Sequence, residues 1–234
     1  MDKIYGRKPV LDTLDTDIKI HKAYILKQNS KLVNKIIRKL EDKNIDISFV
    51  DKRFFDKIDV NHQGVMIEVE SFSYADQKLL EESKRLVILD QIEDPHNLGA
   101  IIRSAESFGF DGVIIPERRS ASVTSTVYKT SAGAINNIKV FRVKNLTRTI
   151  KELKDYGFWI YGLAGEADST IDGADLTGKV GLVIGNEGSG ISRLVRENCD
   201  MLVNIPMLGR VNSLNASVAA GISMYELLRQ NGFN

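Results

Sequence analysis

The sequence predicts an α/β protein in two parts: a small α/β domain, then a larger domain whose mainly parallel sheet has helices on both faces. From Arg85 onwards, apolar runs of strand length alternate with stretches of helical periodicity. Alternation of this kind is typical of a parallel sheet, because two parallel strands need a crossover connection that is usually a helix. A shorter pattern of strands and helices occupies residues 1–72.

The first domain is predicted over residues 1–72. An amphipathic segment near residues 10–14 precedes an apolar run at 23–26. A helical pattern follows, formed by Leu32, Ile36, Ile37 and Leu40. A strand at 47–50, a charged helical turn around 54–55 and a strand at 64–69 complete the domain. Residues 73–84 are mostly charged and polar and predict a linker with room for one helical turn.

The second domain is predicted over residues 85–234. Its strands are expected at 86–89, 113–115, 140–143, 158–161, 180–184 and 201–205. Helices are expected from about 98, near 123–132, around 146–153, near 194–195 and from about 215 to 229. The last helix has a predicted core stripe of Val218, Ile222, Tyr225 and Leu228. Its small residues at 216 and 219–221 permit close packing, for which a second subunit is one candidate.

The net charge of the chain does not predict a long-range electrostatic attraction for polyanions such as nucleic acids. There are 32 Lys+Arg and 31 Asp+Glu, which gives a formal net charge of +1. Residues 1–72 hold 14 basic against 12 acidic side chains, and the remaining residues hold 18 against 19. Any binding of nucleic acid must therefore depend on local patches of charge.

Cysteine and histidine usage excludes several classes of protein. The single cysteine, Cys199, cannot form an intrachain disulfide, and three histidines offer no cluster of metal ligands. No charged and then apolar leader opens the sequence, and no apolar run reaches the roughly 20 residues that span a bilayer. A cytoplasmic protein without a metal site or a membrane span is expected.

Three polar segments, at residues 94–103, 185–190 and 205–217, follow apolar strands of the second domain. Ligands of α/β sheets collect outside the carboxyl ends of strands, so these segments predict one shared site. In the first segment, Asn97 is the predicted N-cap of the helix that follows. Arg103 lies off the buried stripe of that helix, where it is free to act on a ligand or to form a surface ion pair with Glu106. His96 is expected to hydrogen-bond within the loop rather than to catalyse.

The second segment has three glycines in six residues, which let the backbone approach a ligand closely. Glu187 at its centre argues against a phosphate cradle, and neither a P-loop nor a dinucleotide-binding fingerprint is present. The alternative interpretation is a tight turn capped by Glu187.

The third segment places Ser213, Asn215 and Ser217 at the start of the last helix. A helix cap at Ser213 or Asn215 explains one of these polar residues but not all of them.

Taken together, the segments resemble the SpoU (TrmH-like) family of RNA ribose 2′-O-methyltransferases, within the SPOUT class. The resemblance rests on Asn97-x-Gly99-x-x-x-Arg103, Gly185-Asn186-Glu187-Gly188 and Asn212-Ser213-Leu214-Asn215-Ala216-Ser217. The preceding region looks like the ribosomal-protein-L30e-like RNA-binding domain of the branch that methylates guanosine in large-subunit (23S) rRNA. That second resemblance rests on Tyr5-Gly6-Arg7-Lys8-Pro9-Val10 and Asn61-His62-Gln63-Gly64-Val65.

The resemblance implies a SPOUT α/β-knot, in which the final segments thread through a loop as a trefoil knot, with S-adenosyl-L-methionine as cofactor and a homodimer as the assembly. The residues implied to bind the cofactor are Leu163, Gly185, Ile205, Met207 and Leu214. The residues implied to surround the methyl-transfer centre are Arg103, Asn97, Glu187, Ser213 and Asn215. A guanidinium stays protonated in proteins, so Arg103 is expected to position the hydroxyl and stabilise the developing oxyanion rather than to accept the proton.

RNA contacts are expected at five basic residues, although any one of them alone is more often a solvated surface charge. These residues are Arg7, Lys8, Arg53, Arg118 and Arg119. The expected function is methylation of a guanosine 2′-hydroxyl in 23S rRNA or in a ribosomal assembly particle. The alternatives are 2′-O-methylation of tRNA and a non-catalytic RNA-binding or ribosome-assembly protein.

Overall fold

The computed structural model describes residues 1–27, 30–210 and 213–232. It divides the chain into two compact units: Met1–Ser73 with Val123–Lys129, and Tyr74–Ser122 with Thr130–Asn234. Asn212, which is part of the third polar segment, lies outside the described residues. The L30e-like assignment of the first domain and the knot in the second stay predictions.

Unit 1 is built on a four-stranded mixed sheet. Its elements are β1 (Asp2–Tyr5), α1 (Arg7–Leu14), β2 (Ile20–Leu26), α2 (Lys31–Asp42), β3 (Ile47–Val50), α3 (Lys52–Phe55) and β4 (Val65–Val69). The strand order is β1-β4-β2-β3, in which β2 and β3 are parallel and the other pairs antiparallel. Helix α2 buries Val33, Ile36 and Leu40, whereas Leu32 is exposed, because residues 33, 36 and 40 share one helical face.

Unit 2 follows the alternation that the sequence predicts. Its first elements are β5 (Arg85–Leu89), α4 (Pro95–Ser107), β6 (Gly112–Pro116), β7 (Lys139–Val143) and α6 (Leu146–Asp155). Helix α5 (Ser125–Thr130), which lies between β6 and β7 in the sequence, groups with unit 1 as far as Lys129. The remaining elements are β8 (Trp159–Leu163), β9 (Ser169–Thr170), β10 (Val180–Ile184), α7 (Arg193–Arg196), β11 (Met201–Asn204) and α8 (Ala216–Asn231). The helical turn expected in the linker is a short 3₁₀ helix, Gln77–Leu80.

The sheet of unit 2 has seven strands in the order β7-β6-β5-β10-β8-β11-β9, and every pairing is parallel. All five residues of β10 are buried, so the central strands are covered on both faces. The predicted α/β fold with a mainly parallel sheet is confirmed. Because β5, β10, β8 and β11 are consecutive, the loops after these strands lie side by side at the carboxyl edge of the sheet.

Helix α8 presents a different face to the core from the one that the sequence predicts. Its buried residues are Ala216, Ala220, Ser223, Met224 and Leu227. Val218, Ile222 and Tyr225 are 48%, 40% and 49% exposed, so the predicted core stripe is wrong. The small side chains let α8 pack closely on α4: a Cβ added at Gly221 would lie 3.9 Å from Ser104 Oγ. Among the described residues no helix, α8 included, has the length and hydropathy to cross a membrane.

Candidate active site

A cavity opens at the carboxyl edge of the unit 2 sheet, between the loops that follow β8, β10 and β11. The five residues that the family resemblance implies for the cofactor all line it: Leu163, Gly185, Ile205, Met207 and Leu214. Glu187 and Ser213 line the same cavity. The second and third polar segments, which are far apart in the sequence, therefore meet at this cavity.

Helix α4 begins three residues earlier than the sequence predicts. Pro95 is the first helical residue, and Asp94 is the N-cap, with Oδ1 accepting from the backbone N–H of His96 at 2.9 Å. The prediction that Asn97 caps the helix is wrong. Proline suits the first helical position because its missing N–H would have no partner there. The side chain of Asn97 is consequently free of the cap and turns towards the other segments.

The glycine-rich loop after β10 is held by Asn186. Asn186 and Gly190 exchange two backbone hydrogen bonds of 3.0 and 2.8 Å. Asn186 Oδ1 accepts from the backbone N–H of Gly188 at 2.9 Å, and Nδ2 donates to the carbonyl of Gln91 at 3.1 Å. A Cβ at Gly185 would lie 2.2 Å from the carbonyl carbon of Gly190, so only glycine allows this turn to close. The alternative in which Glu187 caps the turn is therefore wrong.

Glu187 instead connects all three polar segments. Its Oε1 accepts from Asn97 Nδ2 at 2.9 Å, from the backbone N–H of Ala216 at 3.2 Å and from Asn215 Nδ2. Asn215 Nδ2 also donates to Asn97 Oδ1 at 3.1 Å. The carboxylate lies at the first turn of α8, where the helix dipole favours a negative charge. We call Asn97, Glu187 and Asn215 the amide–carboxylate network.

Asn215 has a second task, because it is also the N-cap of α8. Its Oδ1 accepts from the backbone N–H of Ser217 at 3.0 Å and of Val218 at 3.4 Å. The interpretation of Asn215 as a helix cap is thus confirmed but incomplete. One end of the amide caps the helix while the other end joins the network.

Arg103 is not part of this network. It is exposed on α4, and among the described residues its side chain makes no hydrogen bond or ion pair. The predicted alternative, an ion pair with Glu106, is not formed either, and Glu106 Oε1 accepts from Asn137 Nδ2 at 3.5 Å. Six helical residues separate Asn97 from Arg103, which is a rise of about 9 Å. The role of Arg103 stays a prediction.

Asp90 is a buried carboxylate that the sequence did not single out. It is 5% exposed, and its Oδ2 accepts from the backbone N–H of Ser192 at 2.7 Å. Its own backbone N–H donates to the carbonyl of Ile184 at 2.9 Å. Asp90 thereby holds both ends of the glycine-rich loop. The available signal was an aspartate directly after the apolar run of β5, where a buried strand meets the carboxyl edge.

The basic residues predicted to contact RNA in unit 1 differ from one another. Lys8 and Arg53 are exposed. Arg7 is only partly exposed: its Nε donates to the carbonyl of Gln63 at 3.2 Å, and its backbone N–H donates to Gln63 Oε1 at 3.1 Å. These bonds join the two sequence segments that resemble the L30e-like domain, so Arg7 has a structural task whatever its contact with RNA.

In unit 2 the two predicted RNA contacts lie on the loop after β6. Arg118 and Arg119 are both exposed, and Arg119 has a left-handed backbone with φ of 54°. Because β6 is parallel to the strands of the site, this loop leaves the same edge of the sheet as the glycine-rich loop. The two charges are therefore on the side of unit 2 where an acceptor would approach.

Comparisons with known families match both parts of the chain. The SpoU rRNA Methylase family matches residues 84–225, and the family described as RNA 2′-O ribose methyltransferase substrate binding matches residues 3–75. A protein of Staphylococcus saprophyticus, named for the TrmH family of tRNA/rRNA methyltransferases, is similar over 239 residues. It is 44% identical, over 98% of this chain and 96% of its own length.

Two solved structures share the fold over most of the chain. The SpoU methyltransferase AviRb from Streptomyces viridochromogenes, in complex with the cofactor AdoMet, matches with a TM-score of 0.67 and 24% identity, over 98% of this chain and 90% of its own. At this identity the match shows the fold alone. An AdoMet-bound rRNA methyltransferase from Sinorhizobium meliloti matches with a TM-score of 0.65 and 25% identity, over 97% and 86%.

Proposed function

The chain belongs to the SpoU family of RNA methyltransferases and uses S-adenosylmethionine, and from this premise we propose that it methylates a ribose 2′-hydroxyl of RNA. The acceptor that we propose is a guanosine of 23S rRNA, in free RNA or in a ribosomal assembly particle. One observation carries the proposal: the amide–carboxylate network lies at a cavity lined by all five expected cofactor residues.

The cavity suits S-adenosylmethionine. Leu163, Ile205 and Leu214 supply apolar contacts for a purine and a methionine chain, and the loop at Gly185 brings backbone groups close. When bound, the cofactor supplies a methyl group on a positively charged sulfur, which is the electrophile. The protein must supply the alignment of the acceptor.

A ribose hydroxyl is a poor nucleophile, so the site must hold it in line and assist the loss of its proton. Glu187 Oε1 already accepts three hydrogen bonds, and we therefore assign Glu187 to positioning, together with Asn97 and Asn215. Ser213 lines the cavity and is free to hydrogen-bond the acceptor ribose. We assign Arg103 to placing the hydroxyl and stabilising the oxyanion that develops on it.

Particular observations bear on the alternatives. A non-catalytic RNA-binding protein has no need of a network that joins three segments at the cofactor cavity. A tRNA substrate remains the enzymatic alternative, since relatives are named for both tRNA and rRNA. The match of residues 3–75 to a substrate-binding domain supports an RNA substrate, and the resemblance of that domain to the rRNA branch favours 23S rRNA.

A homodimer is part of the proposal, as is a cytoplasmic setting. The support for the dimer is the exposed apolar stripe of α8, formed by Val218, Ile222 and Tyr225. Three large apolar side chains in a row on one helix face are typical of a surface that a partner covers. A second copy of the chain is the partner that we propose.

Labelled S-adenosylmethionine tests the function directly. The protein is incubated with unmodified 23S rRNA transcript, with a partly assembled large-subunit particle and with a tRNA pool, and the RNA is digested to nucleosides. We expect label in 2′-O-methylguanosine from 23S rRNA or from the particle. Label only in tRNA would establish the enzymatic alternative, and label in none of the three would leave a binding protein.

Arg103→Ala is the variant that tests the site in the same assay. Methyl transfer should fall by about a hundredfold or more, because one group that stabilises a developing oxyanion is lost. The affinity for S-adenosylmethionine, measured by calorimetry, should stay near the wild-type value. Arg148→Ala is the matched control, since Arg148 has a side chain that is 79% exposed on α6. Near-normal turnover of Arg103→Ala would contradict the assignment.

A further inference from the structure

A second cleft adjoins the cofactor cavity, and part of its lining has no role in the proposed mechanism. It has a volume of about 630 Å³ and shares Leu163, Gly190, Met207 and Ser213 with the cavity. Its remaining lining includes Glu166, from the loop after β8, and Arg196, the last residue of α7. We call it the Glu166–Arg196 cleft.

Glu166 and Arg196 form an ion pair, in which Arg196 Nη1 donates to Glu166 Oε1. The side chains are 61% and 39% exposed, and a pair as exposed as this contributes little to stability. The pKa of the Glu166 carboxyl is held below its usual range by a hydrogen bond from its own backbone and by the Arg196 guanidinium. The carboxylate therefore remains ionised, and an acceptor of hydrogen bonds, at neutral pH.

The lining of the cleft suits a flat ring. Four glycines contribute to its wall without any side chain: Gly165, Gly188, Gly190 and Gly209. Apolar contacts come from Leu163, Ile191 and Met207. Smooth backbone and apolar walls with a polar pair are how proteins hold an unstacked base, by stacking on its faces and hydrogen-bonding its edge.

Resting on the proposed function, we propose that the Glu166–Arg196 cleft holds the base of the acceptor nucleotide and that the ion pair reads guanine. The Watson–Crick edge of guanine presents the O6 acceptor and then two donors, N1–H and the N2 amino group. A guanidinium beside a carboxylate presents the complement, one donor followed by acceptors. The pair is thus matched to guanine along the whole edge.

The same pair disfavours the other bases. Adenine and cytosine present a ring-nitrogen lone pair at the centre of the edge, where it would face the carboxylate. Uracil presents a single donor between two acceptors, so one carboxylate oxygen would face a carbonyl. Unpaired or opposed polar groups in a binding site are what gives large discrimination between substrates.

Glu166→Gln tests this assignment. The amide keeps one acceptor and replaces the other by a donor, so kcat/KM on 23S rRNA should fall about ten- to hundredfold, the usual range for a bidentate base contact. The affinity for S-adenosylmethionine should be unchanged. Glu197→Gln is the matched control, because Glu197 forms a comparable exposed ion pair with Arg193 at 2.7 Å but does not line the cleft. That control should behave as wild type.

A base substitution supplies the readout that a structural effect would not reproduce. Once the labelled nucleotide is mapped, inosine, which lacks the N2 amino group, is placed at that position by ligation. We expect wild type to lose about tenfold in kcat/KM on inosine, whereas Glu166→Gln should hardly distinguish the two RNAs, since the contact is already lost.

Three results would overturn the proposal while leaving 2′-O-methylation of RNA intact. The first is label in a 2′-O-methylnucleoside other than 2′-O-methylguanosine, which would also overturn the proposed guanosine acceptor. The second is wild-type kcat/KM for Glu166→Gln, or equal losses on inosine for variant and wild type. The third is a loss of S-adenosylmethionine affinity that accounts for the loss of turnover, which would place the methionine end of the cofactor in the cleft. No label in any RNA would overturn the proposed function itself, and this inference with it.

Discussion

Asn215 shows how one residue can satisfy two interpretations of a sequence motif. The side-chain oxygen Oδ1 of Asn215 caps α8, and the side-chain nitrogen Nδ2 donates to Glu187 and Asn97. A helix cap is a local feature and is visible in the sequence, since Asn just before a helical pattern is typical of the N-cap. The donation to two residues from distant segments depends on the sheet that brings them together.

Asn215→Ser separates the two tasks. Serine caps a helix as well as asparagine, so the free energy of unfolding should fall by less than about 1 kcal/mol in chemical denaturation. The donors to Glu187 and Asn97 are lost, and methyl transfer should fall about ten- to hundredfold because the network no longer holds its geometry. Asn215→Ala should show the same loss of activity and be about 1 kcal/mol less stable than the serine variant. Full activity of Asn215→Ser would remove the network from the mechanism.

At the scale of the element, the glycine-rich loop owes its shape to one close approach. Gly185 lies against the backbone of Gly190, and Asp90 and Asn186 fix the ends and the middle of the loop. The sequence shows the glycines but not which of them is indispensable. A Cβ added at Gly188 would have only Asn186 Oδ1 within 4 Å, at 3.5 Å, and the backbone of Gly188 is not left-handed.

Gly185→Ala and Gly188→Ala should therefore differ sharply. In Gly185→Ala the added methyl group forces the loop open, and the affinity for S-adenosylmethionine should fall about tenfold or more, which corresponds to an overpacking cost of about 1 to 3 kcal/mol. Gly188→Ala adds the same atom to the same loop without a clash and should bind within about twofold of wild type. Calorimetric titration of both variants measures this. Equal affinities would mean that the loop does not shape the cofactor cavity.

Helix α8 illustrates why periodicity alone can select the wrong face. Its large apolar residues lie at helical spacing, and a helix that packs on a soluble core is expected to bury such a stripe. The structure instead buries a face that combines small side chains with Met224 and Leu227, and α8 approaches α4 closely at Gly221 and Ser104. A one-chain sequence pattern does not tell a core stripe from a stripe that another subunit covers.

At the scale of the whole molecule, the exposed stripe of α8 predicts the oligomeric state. Wild type should have a mass near twice 26.1 kDa by size exclusion with light scattering. Ile222→Asp places a charge in the middle of the stripe and should give a monomer, since a buried unpaired carboxylate costs several kcal/mol in an interface. Methyl transfer should fall as well, because the stripe is close to Arg103. Gly221, the sequence neighbour of Ile222, packs next to Ser104, which is the sequence neighbour of Arg103.

The matched control for the dimer is Leu194→Asp. Leu194 is 55% exposed on α7, outside the stripe, and its substitution should leave the mass at that of wild type. A wild-type protein that runs as a monomer at micromolar concentration would contradict the dimer. A dimeric Ile222→Asp would move the interface to another surface.

The assignment of residues 123–129 also depends on the whole molecule. The sequence places a helix near 123–132 among the elements of the second domain, but Val123–Lys129 groups with unit 1. Within unit 1, Lys129 forms an ion pair with Asp12 at 2.8 Å, and Tyr128 packs edge-on against Phe72 with ring centroids 6.3 Å apart. These partners are more than 50 residues away in the sequence, so no local pattern could have indicated them.

The sequence by itself determined the alternation of strands and helices, the parallel sheet of unit 2 and the three polar segments at its edge, because apolar periodicity and turn residues act over a few neighbours. Only the tertiary structure decided that Glu187 joins Asn97 and Asn215, that Asp90 anchors the glycine-rich loop and that Glu166 meets Arg196. It also decided which face of α8 is buried. Each of these depends on the order of strands in the sheet. That order brings together loops whose residues lie as many as 118 positions apart in the sequence, as Asn97 and Asn215 do.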